Sequence, residues 1–388
     1  MCVEGCGTRR LNWRLVLLLF VLFLGIGQAS ASEYLVYVGT YTGKGSEGIY
    51  AYRFDPDTGA TSPVMLAAAT ENPSFLATDP TGRFLYAVNE LENFQGAPTG
   101  AVSAFAIDQT SAKLTALQQV SSLGAGPAHV SVDTTGRFLF AANYNSGNYA
   151  VFPIGSDGRL GPHTAFVQDV GSSVNADRQA GPHAHSIQAT PDNRFVLVAD
   201  LGIDQVRIDR FNAHTGRLAP ARPAFVKVTP GAGPRHVAFA PSGRFVYLVS
   251  EMGSAVTVFA YDPDHGILQP QQTVSTLTKA VPGNRAAEIA IDASGRFLYV
   301  SNRGDDSLVV FRVDAGDGRL AALQWIASGG KNPRHFTIDP TGRWLSAANQ
   351  DTNNISLFQI ESNTGRLTPT ERSLPVVEPV CVLFVPRQ

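Results

Sequence analysis

The chain has 388 residues, a length that corresponds to two or three ordinary domains or to one larger repeat architecture. Its hydrophobic content of 44% and its charged content of 16% are those of a globular protein, and they exclude a disordered chain and a polytopic membrane protein. The formal net charge of −2 gives the surface no electrostatic reason to bind nucleic acid or anionic lipid.

Residues 1–31 have the composition of a secretory signal peptide. Three arginines precede a short apolar run, "LVLLLFVLFLGIG", and the small-x-small sequence "ASA" follows it. The run is short for a membrane span, so we expect cleavage after Ala31, export to the periplasm or the outside, and no stable membrane insertion afterwards. An uncleaved anchor is the alternative, and the paired arginines leave both general secretory and twin-arginine export open.

Residues 32–388 are therefore expected to form the mature protein. Loss of three Arg and one Glu with the leader changes the formal charge from −2 to −4. Cys2 and Cys6 also leave, and Cys381 alone cannot form an intramolecular disulfide. The stability of the exported protein must therefore come from packing.

Two phrases recur along the rest of the chain. A "GRF"-like phrase occurs six times, at intervals of 54, 57, 50, 52 and 47 residues. Its arginines are Arg83, Arg137, Arg194, Arg244, Arg296 and Arg343. A phenylalanine followed by a turn and a leucine or valine occurs seven times, at Phe54, Phe105, Phe152, Phe211, Phe259, Phe311 and Phe358. A period of about fifty residues indicates a repeat architecture.

Each repeat has the pattern of four short strands. In the copy that starts at Gly233, "HVAFA" and "RFVYLVS" flank the turn "PSG", and "AVTVFAYD" and "ILQPQQTVS" follow. We therefore predict an all-β fold over residues 32–388, a seven-bladed β-propeller of four-stranded antiparallel blades. Because "EPVCVLFVP" matches only the start of a repeat, the N- and C-terminal strands should pair in one blade, with Val380–Phe384 innermost.

The start of each inner strand and the end of each second strand should meet at one mouth of the central channel. The residue seven positions after each "GRF" arginine differs from blade to blade, and in one blade it is Glu251. The repeat does not require a glutamate there, so its surroundings are a candidate site. Its predicted neighbours are His183, His185, Arg235, His236, Arg285, Glu288 and Arg303.

Structural explanations exist for several of these residues. His129, His236 and His335 recur in one column, which favours an architectural role in contact with loop carbonyls. The pair in "HAH", His183 and His185, has the spacing of metal ligands on a strand, but no third ligand is evident, and we expect neither a metal nor a cofactor. The Arg235–Glu251 and Arg285–Glu288 pairs can also be simple salt bridges.

Several segments together resemble the seven-bladed propeller lactonases, a family that includes propeller-type 6-phosphogluconolactonases and a fungal carboxy-muconate lactonizing enzyme. They are "YVGTYT", "GPHAHS", "VADLGIDQV", "GPRHVAFAPSGRFVYLVSE", "RAAEIAIDASGRFLYVSNRG" and "NPRHFTIDPTGRWLSAANQ", and the resemblance covers residues 33–388. It implies a channel site in which a histidine, a glutamate and arginines act. On this sequence they match His185 or His183, Glu251, Arg235, and an arginine from "RAAE" or "SNRG".

The expected reaction is hydrolysis of a sugar-derived lactone, 6-phosphogluconolactone or a free aldonolactone. Glu251 is predicted as the base and His185 as the proton donor, while Arg235 and Arg303 hold an anion or the developing oxyanion. Glu251→Gln is expected to keep the fold but to remove most lactonase activity. The further substrate-binding candidates are Arg285, His183, His236 and Glu288. The alternative is a non-catalytic exported propeller that binds a small anionic ligand or a protein partner.

Overall fold

The strands of the chain form seven four-stranded antiparallel sheets in a computed structural model that describes residues 1–7 and 33–386. The predicted all-β, seven-bladed propeller is therefore confirmed. Most of the predicted leader and its cleavage site lie outside the described residues, so both stay predictions. Within the described part of the chain, no helix is long and apolar enough to cross a membrane.

The first four blades contain the N-terminal half of the chain and its last strand. Blade 1 consists of β1 (Tyr34–Thr40), β2 (Gly48–Phe54), β3 (Met65–Ala69) and β28 (Pro379–Pro386). Blade 2 consists of β4 (Leu76–Thr78), β5 (Phe84–Asn89), β6 (Ala101–Ile107) and β7 (Leu114–Ser121). Blade 3 consists of β8 (Pro127–Val132), β9 (Phe138–Asn143), β10 (Asn148–Pro153) and β11 (Ala165–Gln168). Blade 4 consists of β12 (Ala184–Ala189), β13 (Phe195–Asp200), β14 (Gln205–Asn212) and β15 (Arg217–Lys227).

The remaining three blades follow the same order without interruption. Blade 5 consists of β16 (Pro234–Phe239), β17 (Phe245–Ser250), β18 (Ala255–Asp262) and β19 (Ile267–Ser275). Blade 6 consists of β20 (Arg285–Ile291), β21 (Phe297–Arg303), β22 (Ser307–Val313) and β23 (Leu320–Ala327). Blade 7 consists of β24 (Pro333–Ile338), β25 (Trp344–Asn349), β26 (Asn354–Ile360) and β27 (Leu367–Pro375), with a short 3₁₀ turn at Gln350–Thr352.

The last strand closes the ring. β28 pairs antiparallel with β1, from Tyr34 opposite Pro386 to Thr40 opposite Pro379. It is the inner strand of blade 1, and it contacts β24 and β4, the inner strands of the two adjacent blades. The predicted innermost position of Val380–Phe384 is therefore confirmed. Pairing both ends of the chain in one blade leaves the ring without a free sheet edge at the junction.

The recurring phrases form one packing contact between blades. The aromatic residue that follows each "GRF"-type arginine packs on the glycine of the outer turn in the next blade, as Phe195 does on Gly266. Blade 1 has no such phrase, and the matching turn position in blade 2 is Ala112 instead of a glycine. Both phrases therefore recur because each of these contacts takes its aromatic ring from one blade and its glycine from the next.

This contact gives a prediction about stability. Gly266→Ala places a Cβ 2.5 Å from the Phe195 ring, whereas a Cβ at Gly243 meets no atom within 4 Å. The two glycines have nearly the same φ, +69° and +68°, so both substitutions share the same backbone strain. Gly266→Ala should therefore lower the free energy of unfolding by about 1–3 kcal/mol more than Gly243→Ala in chemical denaturation. Equal losses would contradict the packing account.

Candidate active site

The inner strands of six blades begin with a β-bulge, in which two residues of the inner strand oppose one residue of the second strand. The extra residue is His185 in blade 4, Arg235 in blade 5 and Arg334 in blade 7. A bulge changes the direction of a side chain without ending the strand. The same irregularity in a repeated fold thus places an imidazole and two guanidinium groups at one end of the channel.

Glu251 is the centre of a buried charge cluster at this end. Its Oε2 lies 2.7 Å from Arg303 Nη2 and 3.4 Å from Arg235 Nε, and its Oε1 lies 2.9 Å from Arg178 Nη2. The side chains of Glu251, Arg235 and Arg303 are each less than 5% exposed. His185 completes the group, with Nε2 3.9 Å from Glu251 Oε2. We call these five residues the mouth cluster.

The elements that carry the mouth cluster are tied together by the main chain. Glu251 directly follows β17, where its N–H donates to Gly233 O (2.7 Å) and its own carbonyl accepts from Ala286 N (3.0 Å). Arg303 ends β21 and also donates to Ala286 O. Arg178 belongs to residues 169–183, the connection from blade 3 to blade 4. Blades 4, 5 and 6 and this connection therefore meet at one carboxylate.

The charges in the cluster fix its protonation. Burial alone would raise the pKa of Glu251, but the guanidinium groups of Arg303, Arg235 and Arg178 outweigh it and hold the pKa well below its usual range. Burial, together with Arg303 and Arg334, lowers the pKa of Arg235 to about 9. At neutral pH Glu251 is therefore a carboxylate and Arg235 is a cation.

His185 is neutral in this environment. Burial, with the charges of Arg235 and nearby groups, lowers its pKa well below the usual range. Within the described residues its Nδ1 has no hydrogen-bond partner. His183 is held differently, since its Nδ1 lies 2.8 Å from the carbonyl oxygen of Tyr144 and its ring stacks on the Tyr144 ring with centroids 4.5 Å apart. The two histidines of "HAH" therefore have separate partners, and in residues 1–7 and 33–386 no set of three His, Cys, Asp or Glu is arranged to hold a metal ion.

A second cluster lies one residue further along the inner strands. His236 Nδ1 is 3.0 Å from Glu288 Oε2, and His335 Nε2 is 3.4 Å from the same oxygen. His129 packs against His236 with ring centroids 5.3 Å apart, and Phe75 contacts all three histidines of this group. We call these five residues the channel cluster. It places Glu288 and His236 beside each other and not beside Glu251.

The histidines of the channel cluster have different main-chain partners from the ones expected. His129 Nδ1 and His335 Nδ1 accept main-chain N–H groups of the neighbouring inner strands, from Ile187 (3.5 Å) and Val382 (3.3 Å), and among the described residues neither ring has a hydrogen bond to a loop carbonyl. Burial lowers the pKa of His335 to about 4, although the Glu288 carboxyl opposes the shift. These histidines are therefore neutral acceptors that tie adjacent blades together.

Arg285 does not enter either cluster with its side chain. It is exposed at the start of β20, and only its carbonyl oxygen meets Arg303 Nε, at 3.3 Å. The expected Arg285–Glu288 salt bridge is absent from the described residues, because Glu288 is turned towards His236 and His335. The bulge between the two residues separates them.

Two arginines were not selected from the sequence. Arg178 lies in the connection that makes the interval between the "GRF" phrases of blades 3 and 4 the longest of the five. Arg334 occupies the same column as Arg235, so "NPRH" beside "GPRH" was the signal that could have identified it. Its guanidinium carbon is 5.3 Å from the centre of the Tyr41 ring, whose hydroxyl donates to Glu90 Oε2 (2.8 Å). In the described part of the chain, no carboxylate pairs with Arg334.

A carboxylate, an imidazole and several guanidinium groups at a propeller mouth are groups that can carry out acid–base chemistry and stabilise negative charge. The family model described as "Lactonase, 7-bladed beta-propeller" matches residues 35–384. The chain therefore belongs to the seven-bladed β-propeller lactonase family, and the resemblance found in the motifs is confirmed.

Named relatives cover most of the chain. A 6-phosphogluconolactonase of Bacillus subtilis is 37% identical over 79% of this chain and 85% of its own length. A 6-phosphogluconolactonase of Formosa agariphila is 31% identical over 78% of this chain and 85% of its own. The solved structure of a periplasmic gluconolactonase from Pseudomonas aeruginosa is 36% identical, with a TM-score of 0.85 over 92% of this chain and 100% of that one.

The mouth cluster also predicts a stability effect that differs from the sequence-based expectation. Glu251→Gln leaves Arg235 and Arg303 buried without their carboxylate, which should cost about 3–5 kcal/mol of unfolding free energy. The matched control is Asp57→Asn, which removes an exposed ion pair of the same 2.7 Å length with Arg343 and should cost about 1 kcal/mol or less. Denaturation at pH 7 measures both, and similar small losses would contradict a buried role for Glu251.

Proposed function

We propose that the chain hydrolyses a sugar-derived lactone, 6-phosphogluconolactone or a free aldonolactone, at the mouth cluster. The observation that carries the proposal is a buried carboxylate–imidazole pair, Glu251 and His185, among guanidinium groups in a member of the lactonase family. The names of the Bacillus and Pseudomonas relatives support the two forms of the substrate.

Lactone hydrolysis requires an activated water, stabilisation of the negative charge on the carbonyl oxygen, and a proton for the ring oxygen that leaves. Glu251 and His185 are both unprotonated at neutral pH, so this pair must first accept a proton from the attacking water. We assign that step to His185, because its imidazolium is stabilised by the Glu251 carboxylate 3.9 Å away. The imidazolium then returns the proton to the ring oxygen as the C–O bond breaks, giving the hydroxy acid.

This assignment modifies the roles expected from the sequence. Glu251 was predicted as the base, but its carboxylate is already paired with three arginines, whereas Nδ1 of His185 has no hydrogen-bond partner in the described residues and is available to accept a proton. In the proposed mechanism, Glu251 orients Arg235 and Arg303 and compensates the charge of protonated His185. His183 stacks on Tyr144, and the centre of the Tyr144 ring lies 5.4 Å from the centre of the His185 ring.

The arginines provide the charge that the transition state needs. Arg178, Arg235 and Arg303 share one carboxylate, and Arg334 has none within ion-pair distance in the described residues. The excess of positive charge favours a developing oxyanion, the carboxylate product and any anionic substituent on the substrate. Arg334 can therefore contact a substrate without breaking an internal ion pair.

The predicted leader bears on which lactone is used. We infer that residues 1–31 direct export, and that the substrate is then a lactone found outside the cytosol, for which a free aldonolactone is suitable. The periplasmic gluconolactonase with a similar structure supports this choice. N-terminal sequencing of the exported protein should give Ser32, and an intact Met1 would contradict export by cleavage.

The function is tested by a lactone panel. The mature protein should accelerate base uptake in a pH-stat with D-glucono-δ-lactone, its 6-phosphate, or both, above the uncatalysed rate. Hydrolysis should persist in EDTA, because no metal is used in the proposed steps; activity that is lost to EDTA and restored by a divalent ion contradicts the mechanism. Binding of gluconate without any lactone turnover would favour the second candidate, a non-catalytic binder of small anions, which the unpaired Arg334 also supports.

A variant of His185 tests the proton transfer. His185→Asn should lower kcat by about 10²–10⁴-fold, the usual contribution of acid–base assistance, with a smaller change in KM. His183→Asn is the comparison, because it removes the stacked histidine and leaves the one near Glu251. A larger loss of kcat in His183→Asn than in His185→Asn would exchange their roles.

A variant of Arg334 tests the substrate contact. Arg334→Gln should raise KM by about 10-fold or more, since hydrogen bonds to charged groups contribute about 1.5–3 kcal/mol. The control is Arg343→Gln, which removes an exposed arginine that pairs with Asp57. If Arg334→Gln leaves KM at the wild-type value for every lactone that is hydrolysed, Arg334 does not bind substrate.

A further inference from the structure

At the end of the second strand, one position is an asparagine in four blades and an aspartate in one. In four blades an asparagine at this position donates its amide N–H to a main-chain carbonyl at the end of the preceding blade's outer strand. These residues are Asn89, Asn143, Asn302 and Asn349. Blade 4 has Asp200 at this position, and the segment after the outer strand of blade 3 supplies Asp169. A donor amide facing a carbonyl is therefore replaced here by two facing carboxyl groups.

Asp200 holds the segment that leads to the mouth cluster. Its Oδ1 accepts the main-chain N–H of His183 (2.8 Å) and that of Gly202 (2.9 Å). His183 O in turn accepts the N–H of Leu201 at 2.9 Å. Asp200 therefore fixes the backbone two residues before His185, at the entrance to the bulge that directs the imidazole.

Asp169 faces Asp200 in a fully buried setting. Asp169 directly follows β11, the place whose main-chain carbonyl accepts the asparagine amide in four other blades, which puts it next to Asp200, and both side chains are almost inaccessible, Asp169 at 4% and Asp200 at 0%. Oδ2 of Asp169 and Oδ2 of Asp200 both lack a hydrogen-bond partner in the described residues. Two carboxylates in contact cannot both be ionised at low cost, whereas one proton between them satisfies both groups.

We propose that Asp169 and Asp200 share one proton, and that this pair is a positioning device for His183 and His185. The effect on catalysis rests on the function proposed above, whereas the shared proton does not. It is a positioning role, because neither aspartate contacts the reacting atoms. The protonated carboxyl of Asp169 can donate a hydrogen bond to Asp200. This bond joins the two blades at the place where an asparagine donates to a carbonyl in four other blades.

The other charges around the pair are few. Arg207 Nε lies 3.1 Å from Asp169 Oδ1, and Asp209, on the same strand as Arg207, accepts the Tyr149 hydroxyl at 2.6 Å. On the other side lies His183, whose main-chain N–H donates to Asp200 Oδ1. Burial and the negative charge of Asp200 raise the pKa of Asp169 to about 8, against the opposing effect of Arg207. Asp169, Asp200 and Asp209 together carry more negative charge than Arg207 compensates. One bound proton reduces this excess.

The pair gives the site an alkaline limit. As the pH rises through about 8, the shared proton is lost and two buried carboxylates repel each other beneath the His183 backbone. Because the pKa of Asp169 is raised by folding, its contribution to stability is present below its ordinary pKa and is lost as the pH rises from about 4 towards 8. The activity of the site should therefore decline on the alkaline side of this range.

Asp169→Asn tests the proposal, since an amide keeps the shape and always donates a hydrogen bond. Infrared spectra of the wild type at pH 7 should contain a protonated-carboxyl C=O band that Asp169→Asn lacks and that titrates away as the pH passes about 8. The variant should also have the higher melting temperature at pH 8, and its kcat should not decline above pH 8 as that of the wild type does. Asp133→Asn, a buried aspartate between β8 and β9, is the control and should retain both the band and the decline.

The outcomes separate the two claims. A wild-type minus Asp169→Asn difference spectrum without a carboxyl band at pH 7 overturns the shared proton, whatever the activity. If the band is present but Asp169→Asn keeps the alkaline decline in kcat, the pair has no positioning role. If no lactone is hydrolysed by the wild type, the proposed function fails, and the band and the melting temperature still decide whether the proton is shared.

Discussion

The site depends on one buried carboxylate that compensates several guanidinium groups. Without Glu251, Arg235 and Arg303 are two cations at less than 5% exposure with no counter-ion, and with it they are held within 3.4 Å of one oxygen. The same carboxylate reaches Arg178 in a connection between blades. The position of every charged group in the mouth cluster therefore follows from the position of Glu251.

The fold makes such a cluster possible because its inner strands are nearly equivalent. Each begins at the same end of the channel, and the bulges of blades 4, 5 and 7 each turn one side chain towards the mouth. The repeat fixes where that side chain is, while the sequence of each blade decides its chemistry: His185, Arg235 and Arg334 occupy equivalent positions. The residue that follows Arg235 is His236, and the residue that follows Arg334 is His335. Both belong to the channel cluster, which joins adjacent blades. Neighbouring residues of one strand therefore take part in different clusters.

The sequence was sufficient to predict the seven blades, their four strands and the closure by Val380–Phe384, because a repeat presents the same pattern many times. It also identified Glu251 as an exception within a repeated column. It did not predict that Arg285 is exposed or that Glu288 belongs to the channel cluster, because a bulge shifts register by one residue and leaves no mark in an alternating pattern. Arg178 was missed for a different reason, since its segment lies outside the repeat.

A crystal structure with the product D-gluconate bound would test the central claim most directly. The account predicts that its carboxylate lies at the mouth, within hydrogen-bond distance of Arg334, with the hydroxyl released from the ring close to His185 and with the Glu251 ion pairs intact. A gluconate bound elsewhere on the propeller, with no contact to Arg334, Arg235 or His185, would contradict the assignment of the mouth cluster as the lactone site.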